Sequence, residues 1–435
     1  MNNPNSIFCH RATLLIGILS VLSYSFLAIN SQSYADAKLL HLWVTSFTAA
    51  ALCFSLWAIL EYQKQSISIT LLIGFALLFR VIGLFAFPVL EDDIYRYMWD
   101  ARMTINSGSP YLLAPSDFFG NDSVSDHFDH ILGLINYPDV KTVYGPVAQW
   151  SFALAYLIAP GEIWPLQLIF ATADIALILI LLQLAKPNSV LLYAWCPLII
   201  KEFAFTAHPD VLGAMLLMLA VLFFNKKKFI YVGALIATAA GVKIFALIIA
   251  PFLLKFEWKG WLALFITAII VALPFGVSTA WLPGGLSAMG SAWFFNAPLH
   301  ILLSNWFDTN AVKLSLMVVL LIGLGTYWLV RYRINSHNIP RGDIIFLGLL
   351  LVSPVLNPWY LVWLLAFAAI RPSLWAWALS VSVLLSYASG INLKNSSLQN
   401  YQISDTILIV EFGSVVLLAI ITSLIIRVYK NIKLR

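Results

Sequence analysis

The chain has 435 residues, of which 61% are hydrophobic and only 10% are charged. An ordinary soluble domain is about 45–50% apolar and about 25% charged, so this composition excludes a soluble globular protein. The net charge of +5 does not indicate a nucleic-acid partner, because the Lys and Arg residues cluster beside apolar runs, as the positive-inside rule expects of a membrane protein.

Apolar runs long enough to cross a membrane recur along the whole chain. A hydrocarbon core needs about 17–25 consecutive apolar residues. We therefore predict an all-α, polytopic integral membrane protein of about 11–13 transmembrane helices, forming a single domain over residues 1–435. The first run is predicted to be a retained helix, because it is long and no clean small-x-small cleavage site follows it. The clearest runs are residues 12–30, 39–60, 67–87, 166–184 and 406–426.

An acidic loop follows the third run. Residues 88–145 carry nine acids and three bases in a chain that is positive overall. Counting charges back from the basic termini predicts cytoplasmic N- and C-termini and puts this loop on the periplasmic or extracellular side of a bacterial inner (cytoplasmic) membrane. Two more external loops are predicted, at residues 277–310 and 390–404.

The charge pattern between residues 146 and 260 does not alternate as simple crossings require. Basic clusters at residues 225–228 and 255–259 both look cytoplasmic, although the apolar stretch between them is about one crossing long. One element is therefore predicted to be broken or re-entrant, and the interruption Gly241-Val242-Lys243 is the candidate. The apolar run 190–201 is also too short to cross alone.

Residues 90–103, with the sequence LEDDIYRYMWDARM, are the most informative stretch. Helical spacing gives this stretch a narrow apolar stripe and puts Asp93, Tyr97 and Asp100 beside it, so we predict a helix on the membrane surface. Acids in the first turn and the Arg96–Asp100 pair would stabilise such a helix. A capped, ion-paired surface helix is therefore the alternative to a catalytic one.

Residues 91–102 and the following Gly108-Ser-Pro-Tyr111 resemble the signature of the C-type (GT-C) membrane glycosyltransferases, in particular the polyprenyl-phosphate-mannose-dependent mannosyltransferases. Five later blocks resemble the family in the same order, so the resemblance covers most of the chain. One departure is Gly145, where the family usually has proline. The later blocks are residues 136–149, His208-Pro-Asp210, Lys243, Trp293-Phe-Phe-Asn296 and residues 353–360.

The resemblance implies a GT-C type fold and an inverting transfer of a hexose, with mannose favoured, from a polyprenyl-phosphate donor to an acceptor hydroxyl. The acceptor would be a lipid-linked glycan, a glycolipid or another hydroxyl compound, with membrane lipids around the protein. No cofactor is certain. The adjacent carboxylates Asp92 and Asp93 allow a divalent metal, Mg²⁺ or Mn²⁺, but are weak evidence for one.

The resemblance also implies roles for individual residues. Asp93 is predicted to be the base that takes the acceptor proton, with Asp92 as the second choice. Arg96, Lys243 and His208 are predicted to hold the donor phosphate, because a phosphodiester leaving group needs cations more than it needs an acid. The predicted substrate-binding residues are Tyr97, Asp100, Tyr144, Asp210, Trp293, Asn296, Asn357, Trp359 and Tyr360.

Several of these residues also have a purely structural interpretation. A lysine inside an apolar run, such as Lys243, either marks a functional site or snorkels to the interface. His208 on its own would be read as a solvated loop histidine, and Trp359 as part of the aromatic belt. Arg80 and Asp174, which lie within apolar runs, are predicted to be a structural pair or snorkelling charges.

Two other functions remain open from the sequence. A lipid-linked sugar flippase or transporter would also place charges inside helices, but it predicts polar residues spread through the depth of the membrane. An oligosaccharide polymerase or ligase would share the external loops and the lipid-phosphate donor. No dinucleotide fingerprint or phosphate-binding loop is visible, which argues against a cytosolic nucleotide sugar as donor.

Overall fold

A computed structural model describes residues 4–31, 37–281, 294–334, 338–371, 373–389 and 403–433. Of the described residues, 77% are helical. Within these ranges the β-structure is limited to one isolated bridge between Phe295 and Val355. Apolar runs form helices because lipid offers no hydrogen-bond partners and a helix satisfies its own backbone. The predicted all-α membrane fold is confirmed.

The helices follow one another closely along the chain. In the first half they are α1 (Pro4–Ile29), α2 (Ala37–Tyr62), α3 (Ile69–Gly83), α4 (Asp93–Ser107), α5 (Asp126–Gly133), α6 (Pro146–Ile158), α7 (Trp164–Leu184), α8 (Pro187–Ala194), α9 (Pro197–Ile200), α10 (Asp210–Asn225) and α11 (Phe229–Ala240). In the second half they are α12 (Ala250–Leu254), α13 (Trp258–Ala272), α14 (Val277–Trp281), α15 (Pro298–Ser304), α16 (Thr309–Arg333), α17 (Gly342–Val352), α18 (Val362–Ile370), α19 (Leu374–Ser382) and α20 (Asp405–Lys433).

Six helices in the described part of the chain are long and apolar enough to cross a membrane, and up to seven if the bent pair that contains α9 and α10 is one span. Seven shorter apolar helices, of 10–17 residues, accompany them. The predicted total of about 11–13 spans requires that most of the shorter helices also cross. That total stays a prediction.

Two interruptions shape the centre of the bundle. α11 ends at Ala240 and a 3₁₀ helix begins at Ile244, so the predicted interruption at residues 241–243 is confirmed. The second lies between Pro197–Phe205 and α10, which meet at 117°. Sequence analysis noted that the run before this bend is short but did not predict the bend itself.

The helix α4 is more deeply embedded in protein than its apolar stripe predicted. It begins at Asp93, after the other two acids, and ends at Ser107, and the next residue, Gly108, has a φ of 74° that suits a left-handed helix cap. Tyr97 and Trp99 lie off the predicted apolar stripe of Ile94, Met98, Ala101 and Ile105, yet they are buried, whereas Ile105 is 38% exposed. The helix therefore packs inside the protein on several faces, and α6 covers one of them.

A buried ion pair links α3 to α7. The Arg80 guanidinium lies 2.7 Å from Asp174 Oδ2, and the hydroxyl of Tyr193 donates to Oδ1 of the same carboxylate at 2.8 Å. Arg80 also donates to the carbonyl of Ala194. The hydrogen-bond partners Tyr193 and Ala194 both belong to the neighbouring helix α8. Arg80 and Asp174 therefore form the structural pair that was predicted.

Candidate active site

A cavity of about 290 Å³ lies where several polar segments converge. Its walls come from the start of α4, residues 136–145, the start of α10, the interruption after α11, the end of α14 and residues 353–360. Five of the six sequence blocks singled out above thus meet at one place, whereas the described residues of the block 293–296 do not line the cavity. The predicted site residues that line the cavity are Asp92, Asp93, Arg96, Tyr144, Asp210, Lys243, Asn357, Trp359 and Tyr360.

Asp93 is half-buried at the first position of α4, facing the cavity. The hydroxyl of Tyr144 donates to its Oδ2 at 3.1 Å. Burial raises the pKa of Asp93 to about 6, against the opposing effects of the Tyr144 hydrogen bond and the charges of Lys243 and Arg96. With this pKa the carboxylate is mostly ionised near neutral pH and accepts a proton more readily than an ordinary aspartate.

Asp92 and Glu91 stand directly before Asp93. The amide of Asn136 donates to Asp92 Oδ1 at 2.5 Å, while Glu91 is buried and its Oε1 accepts the backbone N–H groups of Asp92 and Asp93 at 3.2 and 3.4 Å. The three carboxylates each offer an oxygen within 4.8 Å of the others. Since Mg²⁺ and Mn²⁺ prefer oxygen ligands, this is where a divalent metal would bind.

Arg96 is held in the cavity wall by two hydrogen bonds. Its Nε donates to Asp100 Oδ1 at 2.9 Å and its Nη1 donates to the carbonyl of Val140 at 2.9 Å. Asp100 is fixed in turn by Gln149 at 2.9 Å and by a short hydrogen bond from Thr142. Asp100 does not line the cavity, and its hydrogen bond to Arg96 supports a positioning role in place of the predicted substrate contact.

Lys243 reaches the cavity from extended backbone in the interruption after α11. Its Nζ donates to Asp210 Oδ1 at 2.9 Å and lies 3.5 Å from the ring centroid of Tyr360, close enough for a cation–π interaction. Trp363 Nε1 donates to the same Asp210 oxygen at 2.9 Å. Lys243 is therefore a paired charge at the cavity and not a snorkelling lysine.

Lys141 is a third cation at the cavity, which sequence analysis did not single out. It is exposed, and it directly follows Val140, the carbonyl partner of Arg96. The signal that would have found it is its place inside the block 136–149. Three cations and three acids thus line one cavity, with Arg96, Lys141 and Lys243 against Asp92, Asp93 and Asp210.

His208 and Tyr97 lie behind the cavity wall. His208 is fully buried, its Nδ1 is 2.9 Å from the hydroxyl of Tyr97, and its ring stacks on Trp359 with centroids 3.8 Å apart. Only Trp359 of these three lines the cavity. Trp359 and the other residues of the cavity wall cover His208 and Tyr97. The geometry therefore does not support the predicted phosphate contact of His208 or the predicted substrate contact of Tyr97.

Asn296 also points away from the cavity. Its amide donates to Glu411 Oε1 of α20 at 2.8 Å, and it is absent from the cavity wall. The geometry therefore supports a structural contact for Asn296 in place of the predicted substrate contact. The last predicted residue, Trp293, lies outside the described residues.

A buried polar cluster behind His208 was missed by sequence analysis. The hydroxyl of Tyr387 donates to Glu202 Oε1 at 2.6 Å, and Glu202 Oε2 lies 3.2 Å from Lys201 Nζ and 3.5 Å from His208 Nε2. All four side chains are almost completely buried. Adjacent opposite charges at the end of an apolar run were a usable signal, since ionisable residues in membrane segments are rarely accidental.

Four of the seven described non-glycine residues with a positive φ lie beside segments that build or support the cavity. Leu90, Tyr137, Ala207 and Asn296 have φ values of 54°, 51°, 61° and 49°. Left-handed conformations cost a residue other than glycine roughly 1–3 kcal/mol and tend to cluster at functional sites. Each of the four adjoins a block that builds the site, so the surrounding packing holds strained backbone there.

An all-helical membrane protein with carboxylates and cations gathered around one cavity has the features of a membrane glycosyltransferase. Residues 6–258 match the MptA_B family, described as alpha-(1->6)-mannopyranosyltransferase, N-terminal domain. The match covers more than half of the 435 residues, so the chain belongs to this GT-C type mannosyltransferase family and the resemblance is confirmed. No match was found among curated proteins or among solved structures.

Family membership gives the coarse function. The chain is a glycosyltransferase of a mannosyltransferase family, and such an enzyme uses a sugar donor and an acceptor. The matched range contains Asp93, Arg96 and Lys243. The cavity residues Trp359 and Tyr360 lie beyond that range, so the site combines both parts of the chain.

Proposed function

We propose that the chain transfers a mannosyl group from a polyprenyl-phosphate donor to an acceptor hydroxyl, with inversion at the anomeric carbon. The observation that carries this proposal is that Asp93 shares one cavity with the cations Arg96, Lys141 and Lys243. A proton acceptor and phosphate-binding cations are what a transfer with a phosphate leaving group needs.

In the proposed reaction the acceptor oxygen attacks the anomeric carbon on the face opposite the phosphate. The carbon–oxygen bond to the phosphate breaks, and its electron pair leaves with the lipid phosphate. The acceptor proton passes to Asp93 and then to solvent. Arg96 and Lys243 stabilise the negative charge of the departing phosphate. This charge grows as the bond breaks, so the stabilisation is greater in the transition state than in the bound donor.

The lining supports a lipid-linked donor. Next to Lys243 the wall consists of Val242, Ile244 and Phe245, and the side chain of Ile244 is 47% exposed. Cations beside apolar side chains suit an amphiphile whose phosphate meets the charges while its isoprenoid chain lies on the apolar wall.

A divalent cation fits the same site as an added component. Asp92 and Asp93 would hold it, with Glu91 next to them. When bound, it would supply further positive charge for the phosphate. Arg96, Lys141 and Lys243 already supply three positive charges, so the proposal does not depend on the metal.

We infer that the reaction takes place on the outer face of a bacterial inner membrane, with both termini in the cytoplasm. The acidic loop 88–145 supplies Asp93 and Tyr144 to the cavity, whereas the basic cluster 225–228 follows the far end of α10 from Asp210. Acidic loops outside and basic clusters inside follow the positive-inside rule. The acceptor would be a lipid-linked glycan, a glycolipid or another hydroxyl compound that reaches this face.

The alternatives fit less well. A flippase or transporter would need a polar path through the membrane depth, but the charged residues of the cavity wall form one group, and Arg80 and Asp174, which do not line it, are paired with each other. A polymerase or ligase would move a preassembled glycan. Membership of a mannosyltransferase family favours transfer of a single mannosyl group.

The test uses the purified chain in lipid vesicles with an extracted acceptor lipid. We expect labelled mannose to reach the acceptor from polyprenyl-phosphate mannose and not from a nucleotide-linked mannose. NMR of the product should show the anomeric configuration opposite to that of the donor. Transfer from the nucleotide sugar, or retention of configuration, would contradict the proposal.

A further inference from the structure

A glutamate is buried in the last described helix, which is otherwise mostly exposed along its apolar surface. Glu411 lies about two turns into α20 and is fully buried, whereas its neighbours Ile409 and Val410 are 71% and 51% exposed. An ionisable side chain within a membrane segment is costly and normally has a dedicated partner. The partner given by the structure is Asn296, whose Nδ2 donates to Glu411 Oε1 at 2.8 Å.

The second oxygens of the two side chains are what make this pair informative. Asn296 Oδ1 and Glu411 Oε2 are both buried and have no hydrogen-bond partner among the described residues. An ionised carboxylate offers only acceptors, so it cannot satisfy the amide oxygen. A proton on Oε2 turns that oxygen into a donor, and the acid and the amide then complement each other at both positions.

We propose that Glu411 is protonated and pairs with Asn296 through two hydrogen bonds, and that this pair positions one wall of the cavity. The carboxylic acid donates from Oε2 to Asn296 Oδ1 and accepts from Asn296 Nδ2. Both unpartnered buried atoms are satisfied by this single proton, without any other group. A buried polar atom left unsatisfied is costly, so the paired state is strongly preferred.

The path from this pair to the cavity is short. Phe295, next to Asn296, accepts from the backbone N–H of Leu356 at 2.9 Å and donates its own N–H to the carbonyl of Pro354 at 3.0 Å. Pro354 and the following Val355 line the cavity. Asn296 itself has the left-handed φ of 49°, which needs support from outside the turn. Glu411 supplies that support, so it is a positioning residue.

The proposal predicts an ordering of variants. Glu411→Gln keeps both hydrogen bonds as an amide–amide pair and should keep donor KM and kcat near those of the parent chain. Glu411→Leu removes both hydrogen bonds and should raise donor KM on the order of tenfold, with a smaller effect on kcat, because the wall and not the base is displaced. Ser423→Ala, at an exposed position further along α20, is the control and should change neither constant.

A charge-swap variant separates this pairing from simple packing. Asn296→Asp alone places two carboxyl groups together and should raise donor KM, whereas Asn296→Asp combined with Glu411→Gln restores an acid facing an amide and should recover it. Equal damage from Glu411→Gln and Glu411→Leu would overturn the proposal. So would a double variant no better than Asn296→Asp.

The effects on KM rest on the proposed function, but infrared spectroscopy of the purified chain does not. The carbonyl stretch of a protonated carboxyl group should be present in the parent chain and lost in Glu411→Gln. Its absence from the parent chain would overturn the pairing. If the band behaves as expected while polyprenyl-phosphate mannose is not used, then the proposed donor is wrong and the pairing stands.

Discussion

At the scale of single residues, the environment of Asp93 suits it to the role of base that we propose for it. Burial removes water from its carboxylate and raises its pKa more than the Tyr144 hydrogen bond and the nearby cations lower it, so the pKa is about 6. A higher pKa makes a better base, provided that it stays below the working pH. Asp93 meets both conditions near neutral pH.

The first prediction concerns pH. Because only the ionised form of Asp93 accepts the proton, kcat/KM should be level above pH 7 and fall about tenfold per pH unit below pH 6. Tyr144→Phe removes a hydrogen bond that lowers the pKa of Asp93, so the acid limb should move to higher pH. Initial rates across pH measure both effects, and an acid limb unmoved in Tyr144→Phe would argue against Asp93 as the base.

The second prediction compares neighbouring acids. Asp93→Asn keeps size but removes the proton acceptor, so turnover should fall roughly 10²–10⁴-fold while donor binding survives. Asp92→Asn should cost less, because Asp92 accepts from the amide of Asn136, whereas Asp93 is the acid that accepts from Tyr144 at the cavity. Turnover and donor affinity are measured for both variants side by side. An active Asp93→Asn enzyme would remove Asp93 from the mechanism.

At this scale, the sequence predicted the cavity positions of Asp93 and Arg96 and the pairing of Arg96 with Asp100 on the same helix, but not the contacts that come from other segments. Helical spacing gives the direction of a side chain on its own helix, which is why Asp93 and Tyr97 were expected on the same flank. The hydroxyl that binds Asp93 is Tyr144, 51 residues away. Tyr97 instead binds His208, 111 residues away. Contacts over such separations depend on packing between helices, which spacing along one helix does not specify.

At the scale of elements, the two interruptions supply two of the six charged residues in the cavity wall. The break after α11 delivers Lys243, and the bend before α10 delivers Asp210. Gly241 and Lys243 inside an apolar run made the first break visible in the sequence. The bend of 117° depends on packing around Thr206 to Asp210 and left no comparable local signal.

The third prediction concerns Lys243. Lys243→Met removes the charge but keeps a long apolar side chain, so the donor should bind on the order of 10- to 100-fold more weakly, as expected for a lost charge-assisted hydrogen bond. Acceptor KM should change little. Lys259→Met is the matched control, because Lys259 is an exposed lysine in the first turn of α13. Unchanged donor affinity together with a more stable protein would show that Lys243 is only a tolerated charge.

The fourth prediction follows from a close backbone contact. Gly145, the residue that departs from the family's proline, has a φ of −73° that proline could adopt, but a Cβ there would lie 2.4 Å from the carbonyl oxygen of Gly241. That oxygen accepts the N–H of Val147 at 2.8 Å and cannot move freely. Gly145→Ala should therefore cost about 1–3 kcal/mol of stability and raise donor KM, because it pushes the Lys243 segment outward.

Gly74→Ala is the control for this contact. Gly74 lies within α3 and a Cβ there would meet nothing within 4 Å. Alanine at such a position should be neutral or stabilising by up to about 1 kcal/mol. Thermal unfolding in detergent and donor KM are measured for both variants. Equal stability of the two would mean that residues 145 and 241 can separate without cost.

At the scale of the whole molecule, the cavity and the acidic loop lie at one end of α10, and a basic cluster lies at the other end. The cavity draws on the acidic loop, and α10 runs from Asp210 in the cavity to the basic residues that follow Asn225. A helix of 16 residues is about 24 Å long, so the two groups lie at opposite ends of the bundle.

The fifth prediction tests this orientation. The native cysteines are all buried, so single cysteines introduced at exposed positions can be read against a low background. Ser125→Cys and the more sheltered Ser116→Cys should react with an impermeant thiol reagent in intact cells. Lys226→Cys should react only after the membrane is permeabilised. The reverse pattern would put the cavity on the cytoplasmic side.

The fold class was predictable because the lengths of apolar runs are a local property of the sequence. The number of crossings was less accessible, since α3, α6, α11 and the other short apolar helices fall below the usual span length. Whether these short helices cross the membrane depends on how the surrounding protein covers their ends. The part of the cavity wall that comes from the second half of the chain was visible in the sequence mainly as the block 353–360. Trp359 of that block stacks on His208, which comes from a distant segment.

The buried cluster behind His208 has a consequence for how the protein is made. Glu202 receives its hydrogen bond from Tyr387, which is 185 residues further along the chain. At about 5–20 residues per second, a ribosome leaves Glu202 without this partner for roughly 10–40 s. Any chain that stops before Tyr387 keeps an incompletely satisfied charge pair in its interior. Truncated translation products should therefore be both inactive and recognisable to membrane proteases, so that only finished chains persist.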